Sequence, residues 1–421
     1  MTLRLSAEDR SRLAGERGPA ARLAMSILVR MAEVQQAAEM LDVTQAHIDS
    51  TIYMGEAGLE FAERLSGWGA RVSVPTSLNV SGLDEQHWRE WEVPADWAEK
   101  AQRQMKAYLS MGCLPTWTCA PYQTALAPRL GQQIAWGESN AIVYANSVLG
   151  ARTERYPDLL DICAAITGRV PAVGLHLTEN RAGQILVRLS AIPGGLQEDD
   201  AFYPVLGYLL GRISRSRIPV LVGLTAQPSR DQLKALGAAA ASSGAVALFH
   251  IVEVTPEAPT LEAAFQGGAP VEEVVLTLDG LRRARDELTT AGGSGVDLVV
   301  LGSPHFSLSE FQRLAPLLEG RTRHSDVQFL ITTSRAVRDL ARAARLLQPL
   351  ERFGGRLTVD TCVLATPMLP KTVRTLMTNS GKYAYYAPGL LDVQVVFGSL
   401  EDCVASAVAG KVVRDDSLWA L

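Results

Sequence analysis

Apolar residues recur at two different periods along this chain, and each period predicts its own kind of element. In the first part the spacing is helical. Residues 19–41, PAARLAMSILVRMAEVQQAAEML, predict a long amphipathic helix, and residues 58–69, GLEFAERLSGWG, predict a shorter one. Ser6 followed by Asp9 has the spacing of a helix start, so a further helix is predicted at the beginning of the chain. Residues 70–79, ARVSVPTSLN, predict a strand that runs into a loop.

After about residue 195 short apolar runs alternate with helical stretches. Strands are predicted at IPVLVGL (218–224), AVALFHIVEV (245–254), DLVVLG (297–302), QFLITTS (328–334), LTVDTCVL (357–364) and VQVVFG (393–398). Helices are predicted between most of them, at residues 229–244, 308–320, 335–354 and 399–410. This alternation is typical of an α/β protein with parallel sheets and helices packed outside. The sequence therefore predicts an N-terminal α/β part, residues 1–195, and a C-terminal α/β part, residues 196–421.

Composition narrows the class of protein without identifying it. The chain has 421 residues, of which 47% are hydrophobic and 20% charged, and its net charge is −5. Basic residues are dispersed, which argues against nucleic-acid binding. No apolar run reaches the roughly 18 residues of a membrane span, and the polar N-terminus is not a secretory signal. A cytoplasmic protein without nucleic-acid or membrane partners is predicted.

Five cysteines raise the question of a metal or redox site, because cytoplasmic cysteines seldom form disulfides. Cys113 and Cys119 lie in the aromatic, proline-containing stretch MGCLPTWTCAPYQ, and Cys362 lies in VDTCVL. The spacing C-x5-C is not that of a zinc finger. Cys163 and Cys403 lie on apolar helical segments, where core packing is the simpler interpretation.

Two further stretches concentrate polar groups. Residues 135–155, AWGESNAIVYANSVLGARTER, place carboxylate, amide, hydroxyl and guanidinium groups among small residues. They indicate either a substrate site or a helix N-terminus with a satisfied polar network. The loop GSPHFS offers Ser303 and His305, a possible hydrolase pair, but it lacks the G-x-S-x-G elbow. No phosphate-binding or dinucleotide-binding glycine motif is present.

Taken together, several motifs resemble the catalytic domain, or large subunit, of the aconitase X family. The motifs are AHIDSTIYMG, VPTSLN, TCAPYQ, GESNAIVYANSVLGART, AAITGRVPAVGLHLTENR, LGSPHFSLSE, DTC and TNSGKYAYYAP. The resemblance implies an aconitase-like α/β body of several α/β/α units with mostly parallel sheets. It also implies a dehydratase that uses an iron–sulfur cluster and is completed by a small swivelling domain, here expected as a separate chain.

The resemblance assigns cluster ligands to Cys119 and Cys362. Ser303 stands where a third cysteine is often found, so the third ligand is either Cys113 or an oxygen such as that of Ser303. A [2Fe-2S] cluster, a [3Fe-4S] cluster or a single iron ion all remain open.

Dehydration of a hydroxy acid needs a carboxylate clamp, a base and a Lewis acid. Arg152 is the predicted clamp, and the other predicted substrate contacts are Asn79, Ser139, Asn146, Ser147, Thr153 and Ser380. Base candidates are His47, Glu138 and Lys382, and His176 and His305 are predicted to fix the orientation of ligands.

The expected substrate is cis-3-hydroxy-L-proline, which would give a pyrroline-2-carboxylate. The loops carry few basic groups for a phosphate, which disfavours the alternative of a mevalonate 5-phosphate dehydratase large subunit. A second alternative, a non-catalytic member that binds a small acid or a partner chain, stays open because the third cysteine is missing.

Overall fold

The computed structural model describes residues 3–420. The first residues of the predicted N-terminal part, 1 and 2, and the last residue of the predicted C-terminal part, 421, lie outside the described residues. Helix α1 (Ala7–Ala14) starts where the sequence predicts, with the Ser6 hydroxyl accepting from Asp9 N and the Asp9 carboxylate accepting from Ser6 N. Helix α2 (Pro19–Val34) is the predicted amphipathic helix. It ends before residue 41 because Gln36 adopts a φ of 57°, which a continuing helix cannot accommodate.

The remaining elements follow the α/β alternation. The helices are α3 (Glu56–Gly67), α4 (Ala95–Ser110), α5 (Ser139–Ser147), α6 (Leu160–Thr167), α7 (Gly194–Glu198), α8 (Phe202–Ser214), α9 (Arg230–Ser243), α10 (Leu261–Ala264), α11 (Leu278–Glu287), α12 (Leu308–Leu318), α13 (Arg335–Ala343), α14 (Leu347–Phe353), α15 (Gly381–Leu391) and α16 (Leu400–Ala409). The strands are β1 (Met40–Asp42), β2 (Ala46–Ile48), β3 (Thr76–Leu78), β4 (Ala135–Trp136), β5 (Arg169–Pro171), β6 (Ile185–Arg188), β7 (Pro219–Val222), β8 (His250–Ile251), β9 (Glu272–Val275), β10 (Leu298–Leu301), β11 (Gln328–Thr333), β12 (Arg356–Val359), β13 (Thr375–Thr378) and β14 (Gln394–Phe397). No described helix is long and apolar enough to span a bilayer.

Parallel pairing dominates the four sheets. Strands β3-β2-β4, β8-β7-β6-β9 and β12-β11-β10-β13-β14 form three sheets in which every pair is parallel, while β1 and β5 form one antiparallel pair. In β10 the side chains alternate between two cores: Leu298 and Val300 pack on one face, Val299 and Leu301 on the other. This sheet is therefore buried on both sides, as expected of a parallel sheet covered by helices.

Several strands are shorter than the sequence predicts. Only Thr76–Leu78 of residues 70–79 and His250–Ile251 of residues 245–254 pair as strands. The predicted strand 357–364 stops at Val359, because Asp360 turns the chain with a φ of 62°. The predicted helix 335–354 is two helices, and Arg345, with a φ of 59°, lies in the break between them.

The fold brings the carboxyl ends of two parallel sheets against each other. Asp49, Asn79 and Glu138 follow the ends of β2, β3 and β4. On the other sheet, Ser303 follows β10, Cys362 follows β12 and Lys382 follows β13. Ser81 joins the two sides, since its backbone N and its hydroxyl both donate to Asp360 O, at 2.8 and 3.0 Å. Polar loops of both sheets thus converge on one cleft, the usual position of a site in an α/β protein.

Candidate active site

The two cysteines that the resemblance assigns as ligands meet in this cleft. Thr118 N donates to Leu78 O at 3.0 Å, so Cys119 lies just beyond the end of β3. Cys362 follows the turn at Asp360. The Cys362 thiol raises the pKa of Cys119, and both thiols are influenced by Lys382 and Glu138. Burial raises the pKa of Cys119 to about 12 and also raises that of Cys362. Sulfurs from the two halves of the chain therefore share one pocket.

His305 contacts both cysteine loops. Its backbone N–H donates to Cys119 Sγ at 3.2 Å, and its Nε2–H donates to Thr361 O at 3.0 Å. Nδ1 lies 3.2 Å from the Thr118 hydroxyl, which donates to it. Burial lowers the pKa of His305 to about 4, so the ring is neutral at physiological pH. This geometry favours the ligand-fixing role for His305. The hydrolase alternative is wrong, because both ring nitrogens are engaged and neither bonds to Ser303.

A buried ion pair joins the two sheets across the cleft. Lys382 Nζ, in the first turn of α15, lies 2.6 Å from Glu138 Oε1. Glu138 Oε2 caps α5 by accepting from Ala141 N at 2.8 Å, and it also accepts from the side chain of Asn140. Burial acts to lower the pKa of Lys382. The negative charges of Glu138 and the two cysteines raise it by more than burial lowers it, so the net pKa is raised. The predicted role of Lys382 as a base is therefore corrected, since this ammonium keeps its proton.

The sequence interpretation missed Asp49 as a member of the cleft. Asn79 Nδ2 donates to Asp49 Oδ1, and Asp49 N donates to Asp161 Oδ2 at 2.6 Å. Burial, reinforced by the charges of Glu138 and Asp161, raises the pKa of Asp49 to about 8. Asp49 directly follows β2, as Asn79 directly follows the neighbouring parallel strand β3. This equivalent position was the feature of the sequence that could have identified Asp49. Asn79 Oδ1 is buried and accepts no hydrogen bond within residues 3–420.

Three serines border the same cleft. The Ser380 hydroxyl donates to Ser303 O, which ties the loops after β10 and β13 together. Gly302, with a φ of 98°, makes the turn into Ser303; a Cβ there would lie 2.1 Å from Thr332 O. Ser139 is the first residue of α5 and is partly exposed beside Glu138. Ser139, Ser303 and Ser380 are thus placed where they can contact a ligand.

Asn146, Ser147 and Thr153 have structural partners instead of facing the cleft. Thr153 N donates to Asn146 Oδ1 and Asn146 Nδ2 donates to Thr153 O, both at 3.0 Å. The Ser147 hydroxyl accepts from Phe249 N at 2.9 Å. These bonds satisfy the polar groups of the chain around α5. The three residues therefore belong to a structural polar network, and their prediction as substrate contacts is corrected.

Arg152 is likewise occupied away from the cysteines. Its Nη1 donates to His176 O at 3.2 Å and to Thr178 Oγ1 at 2.7 Å. His176 Nδ1 pairs with Gln133 Oε1 at 2.5 Å, and its Nε2 pairs with the Tyr156 hydroxyl. These partners place Arg152 and His176 beside Gln133, Tyr156 and Thr178 and not beside Cys119 and Cys362, so their predicted clamp and ligand-fixing roles are corrected.

His47 lies inside the protein rather than in the cleft. It is 0% exposed, its Nδ1 pairs with Ser77 Oγ at 2.8 Å, and its ring lies 5.9 Å from that of Trp136. Burial lowers the pKa of His47 to about 3. Its Nε2 is enclosed without a hydrogen-bond partner within residues 3–420, and the low pKa makes the ring a weak base, so its prediction as a base is corrected.

Cys113 and Cys119 lie at opposite ends of β3, which rules out a shared ligand loop. Leu114 N donates to Thr76 O at the start of the strand, whereas Cys119 lies beyond its end. Cys113 packs in the main hydrophobic core, and burial raises its pKa to about 12. The alternative of Cys113 as the third ligand is therefore wrong.

We expect Cys113→Ser to leave the visible absorption of the purified protein unchanged. Because the new hydroxyl is buried in an apolar core, the variant should lose about 1–3 kcal/mol of unfolding free energy. Absorption spectra and urea midpoints measured side by side check this expectation. A bleached Cys113→Ser protein would contradict the placement of Cys113 outside the site.

The donor chemistry of the cleft fits an iron-containing group. Within residues 3–420, no three His, Cys, Asp or Glu side chains form a ready-made metal site. Two thiols nevertheless converge beside the Lys382 ammonium and the His305 N–H, both of which stabilise thiolate sulfur. Thiolates are the preferred ligands of iron–sulfur clusters. With the hydroxyl of Ser303 as an oxygen donor at the same edge, the residues present fit such a group.

Comparison with known families identifies the class to which this fold and cleft belong. Models of the aconitase X first, second and third domains match residues 2–179, 183–286 and 296–409. The chain therefore belongs to the aconitase X family, and its aconitase-like α/β fold is confirmed.

Individual relatives are similar over nearly the whole chain. It is 51% identical over 419 residues to cis-3-hydroxy-L-proline dehydratase of Pseudomonas aeruginosa, covering 99% of this chain and 72% of that protein. It is 35% identical to the phosphomevalonate dehydratase large subunit of Methanosarcina mazei, covering 97% of this chain and 98% of the relative. The crystal structure of aconitase X from Thermococcus kodakaraensis in its holo-form superposes with a TM-score of 0.85 at 32% identity, covering 96% of this chain and 100% of that one.

Proposed function

We propose that this chain is the catalytic body of a hydro-lyase that dehydrates cis-3-hydroxy-L-proline to a pyrroline-2-carboxylate. The observation that carries the proposal is the convergence of Cys119, Cys362, Glu138, Lys382 and Asp49 at the facing ends of two sheets. The identity of 51% to a cis-3-hydroxy-L-proline dehydratase, against 35% to a phosphomevalonate dehydratase large subunit, supports this substrate over the alternative.

The charges of the cleft also favour an amino acid over a phosphate ester. The carboxyl groups of Glu138 and Asp161 both lie within electrostatic range of Asp49, and Lys382 is the cation that acts on Asp49. The ring ammonium of hydroxyproline is attracted to carboxylates, and its carboxylate can bind Lys382. A phosphate dianion would face the same carboxyl groups with like charge, which disfavours its binding.

The reaction breaks the C2–H bond and the C3–O bond. Lys382 and the N-terminus of α5 at Ser139 are positioned to bind the substrate carboxylate and to stabilise the charge that develops on it. With Lys382 protonated and His47 inaccessible, Glu138 is the remaining base candidate from the sequence. Cys119 and Cys362, with Ser303 as the third donor, would hold an iron–sulfur group, [2Fe-2S] or [3Fe-4S]. When bound, it supplies a Lewis acid toward the departing hydroxyl.

Substitution of Ser303 tests its role as the third donor. Ser303→Ala removes the oxygen and is expected to lower iron and acid-labile sulfide per chain. Ser303→Cys restores a soft donor and should retain both. Iron and sulfide assays of the purified variants decide this without any measurement of activity. Equal iron and sulfide in Ser303→Ala and the unmodified chain would remove Ser303 from the ligand set.

A small swivelling subunit is proposed as the partner that closes the cleft. The chain spans 72% of the length of the P. aeruginosa dehydratase, and several other relatives are named large subunits. The chain co-expressed with such a partner should release water from cis-3-hydroxy-L-proline and turn over mevalonate 5-phosphate far more slowly. The reverse preference would establish the phosphomevalonate alternative. A colourless complex inert toward both would indicate a non-catalytic small-acid binder.

A further inference from the structure

Asp49, Asp161 and Glu138 form a group of carboxyls that share one cation. If all three were ionised, the ammonium of Lys382 would leave two negative charges uncompensated in a largely buried setting. Such an arrangement is unfavourable, and it is relieved when one carboxyl keeps its proton. The contacts of the three groups decide which one does so.

Two of the three carboxyls accept several hydrogen bonds, and at Asp161 these donors oppose burial, which raises its pKa to about 6. Asp161 accepts from Asp49 N at 2.6 Å and from Ile162 N at 2.7 Å. Glu138 accepts from Ala141 N, from the Asn140 side chain and from Lys382 Nζ. Hydrogen bonds donated to a carboxylate favour its charged form.

Asp49 has the weakest support for a negative charge. Its Oδ1 accepts from Asn79 Nδ2, and its Oδ2 has no protein hydrogen bond among residues 3–420. Gly137 packs directly on it, since a Cβ at Gly137 would lie 2.9 Å from Asp49 Cβ. Asp49 nevertheless stays partly exposed. Its free oxygen is therefore available to a bound substrate.

The charged groups around Asp49 raise its pKa, with the exception of Lys382. Glu138 after β4, together with Asp158 and Asp161 at the start of α6, raises its pKa, and Lys382 of α15 lowers it. His47, on the same strand, is neutral. With burial as the largest cause, the pKa of Asp49 is raised to about 8.

We propose that Asp49 is the general acid of this site, which carries a proton at rest and delivers it to the hydroxyl that leaves C3. The inference rests on the proposed function. The C2–H electrons form the C2=C3 bond while Glu138 takes the proton. The C3–O electrons stay with oxygen, which accepts the Asp49 proton and departs as water. Return of the proton from Glu138 to Asp49 resets the enzyme, so no oxidant or reductant is required.

The assignment of acid and base follows from the environments of the two carboxyls. Glu138 is ion-paired and caps a helix, whereas Asp49 is surrounded by like charge and burial. A carboxyl that keeps its proton can act as an acid beside a neighbouring ion-paired carboxylate that acts as a base.

The isosteric variant Asp49→Asn tests the proposal in the chain co-expressed with its partner. We expect kcat to fall about 10²–10⁴-fold with KM changed less than about threefold, because a proton-transfer group is lost while the shape is kept. In the unmodified protein, kcat/KM should decline above about pH 8, as Asp49 of the free enzyme loses its proton. Asp158→Asn, an exposed control, should keep the kcat/KM plateau and move this decline slightly to lower pH.

Infrared spectroscopy gives a readout that does not depend on turnover. A carbonyl band that titrates near pH 8 should be present in the unmodified protein and lost from Asp49→Asn. The bands of Asp161 and Asp360, whose pKa values burial raises to about 6 and about 7, should remain in both proteins. Absence of the band that titrates near pH 8, or a kcat of Asp49→Asn within about threefold of the unmodified protein, overturns the proposal. If the band is present but cis-3-hydroxy-L-proline is not dehydrated, the proposed substrate fails and the delivery step fails with it, while the proton-bearing state of Asp49 stands.

Discussion

Cys119→Ala and Cys362→Ala should each abolish both the visible chromophore and turnover. The two thiols approach from opposite sheets, and Lys382 acts on the ionisation of both. A group that binds both depends on both, because neither loop has a spare thiol: Cys113 lies at the far end of β3. Absorption spectra, iron assays and initial rates on the same preparations check the expectation.

Cys403 and Cys163 provide matched controls for these losses. Both are fully buried, Cys403 in the core behind the five-stranded sheet and Cys163 in the main core. Cys403→Ala and Cys163→Ala should retain colour and rate, with losses of unfolding free energy of about 1–2 kcal/mol from the deleted sulfur. Equal bleaching by all four substitutions would mean that global instability, rather than ligand loss, explains the result.

Local sequence signals predicted where helices and strands occur more accurately than they predicted how long these elements are. Helices α1 and α2 and strands β7, β10, β11 and β14 occur where period and capping place them, because those signals come from neighbours in sequence. The early ends of α2 at Gln36 and of β12 at Asp360 depend on single residues with positive φ. Such residues are fixed by tertiary contacts, and periodicity does not report them. The division at residue 195 stays a prediction.

The site was predictable where residue type and strand end coincide. Asn79, Glu138 and Ser380 lie just after the ends of β3, β4 and β13, whereas Cys119 and Cys362 were assigned by the family resemblance. Asn146, Ser147 and Arg152 belong to the same motif as Glu138, but α5 carries them away from the cleft to the chain around Thr153 and His176. Proximity in sequence does not fix the direction of a side chain.

Asp49 shows the converse limit of sequence reasoning. Its residue type was visible, but its importance comes from Asp161 and Glu138, which are distant in sequence and close in space. The same limit applies to Lys382. Burial alone would make it a candidate base, and only the contact with Glu138 shows that its ammonium is retained.

The second large effect is expected for the ion pair itself. Lys382→Met leaves the Glu138 carboxylate buried without its cation, and removing one partner of a buried pair typically costs about 3–5 kcal/mol. The side chains are only 13% and 6% exposed, so water compensates little of this loss. Activity should also fall at least about 100-fold, because the cation that binds and stabilises the substrate carboxylate is gone.

The double variant Glu138→Gln/Lys382→Met separates the structural role of the pair from its chemical role. Removing both charges relieves the unpaired carboxylate, so the double variant should be more stable than Lys382→Met alone. The amide introduced by Glu138→Gln retains an oxygen that can accept from Ala141 N, so the cap of α5 is preserved. Turnover should not recover, because both the base and the cation are absent. Urea midpoints and kcat of the two single variants and the double variant test this: additive stability losses would show that the 2.6 Å contact carries no coupling.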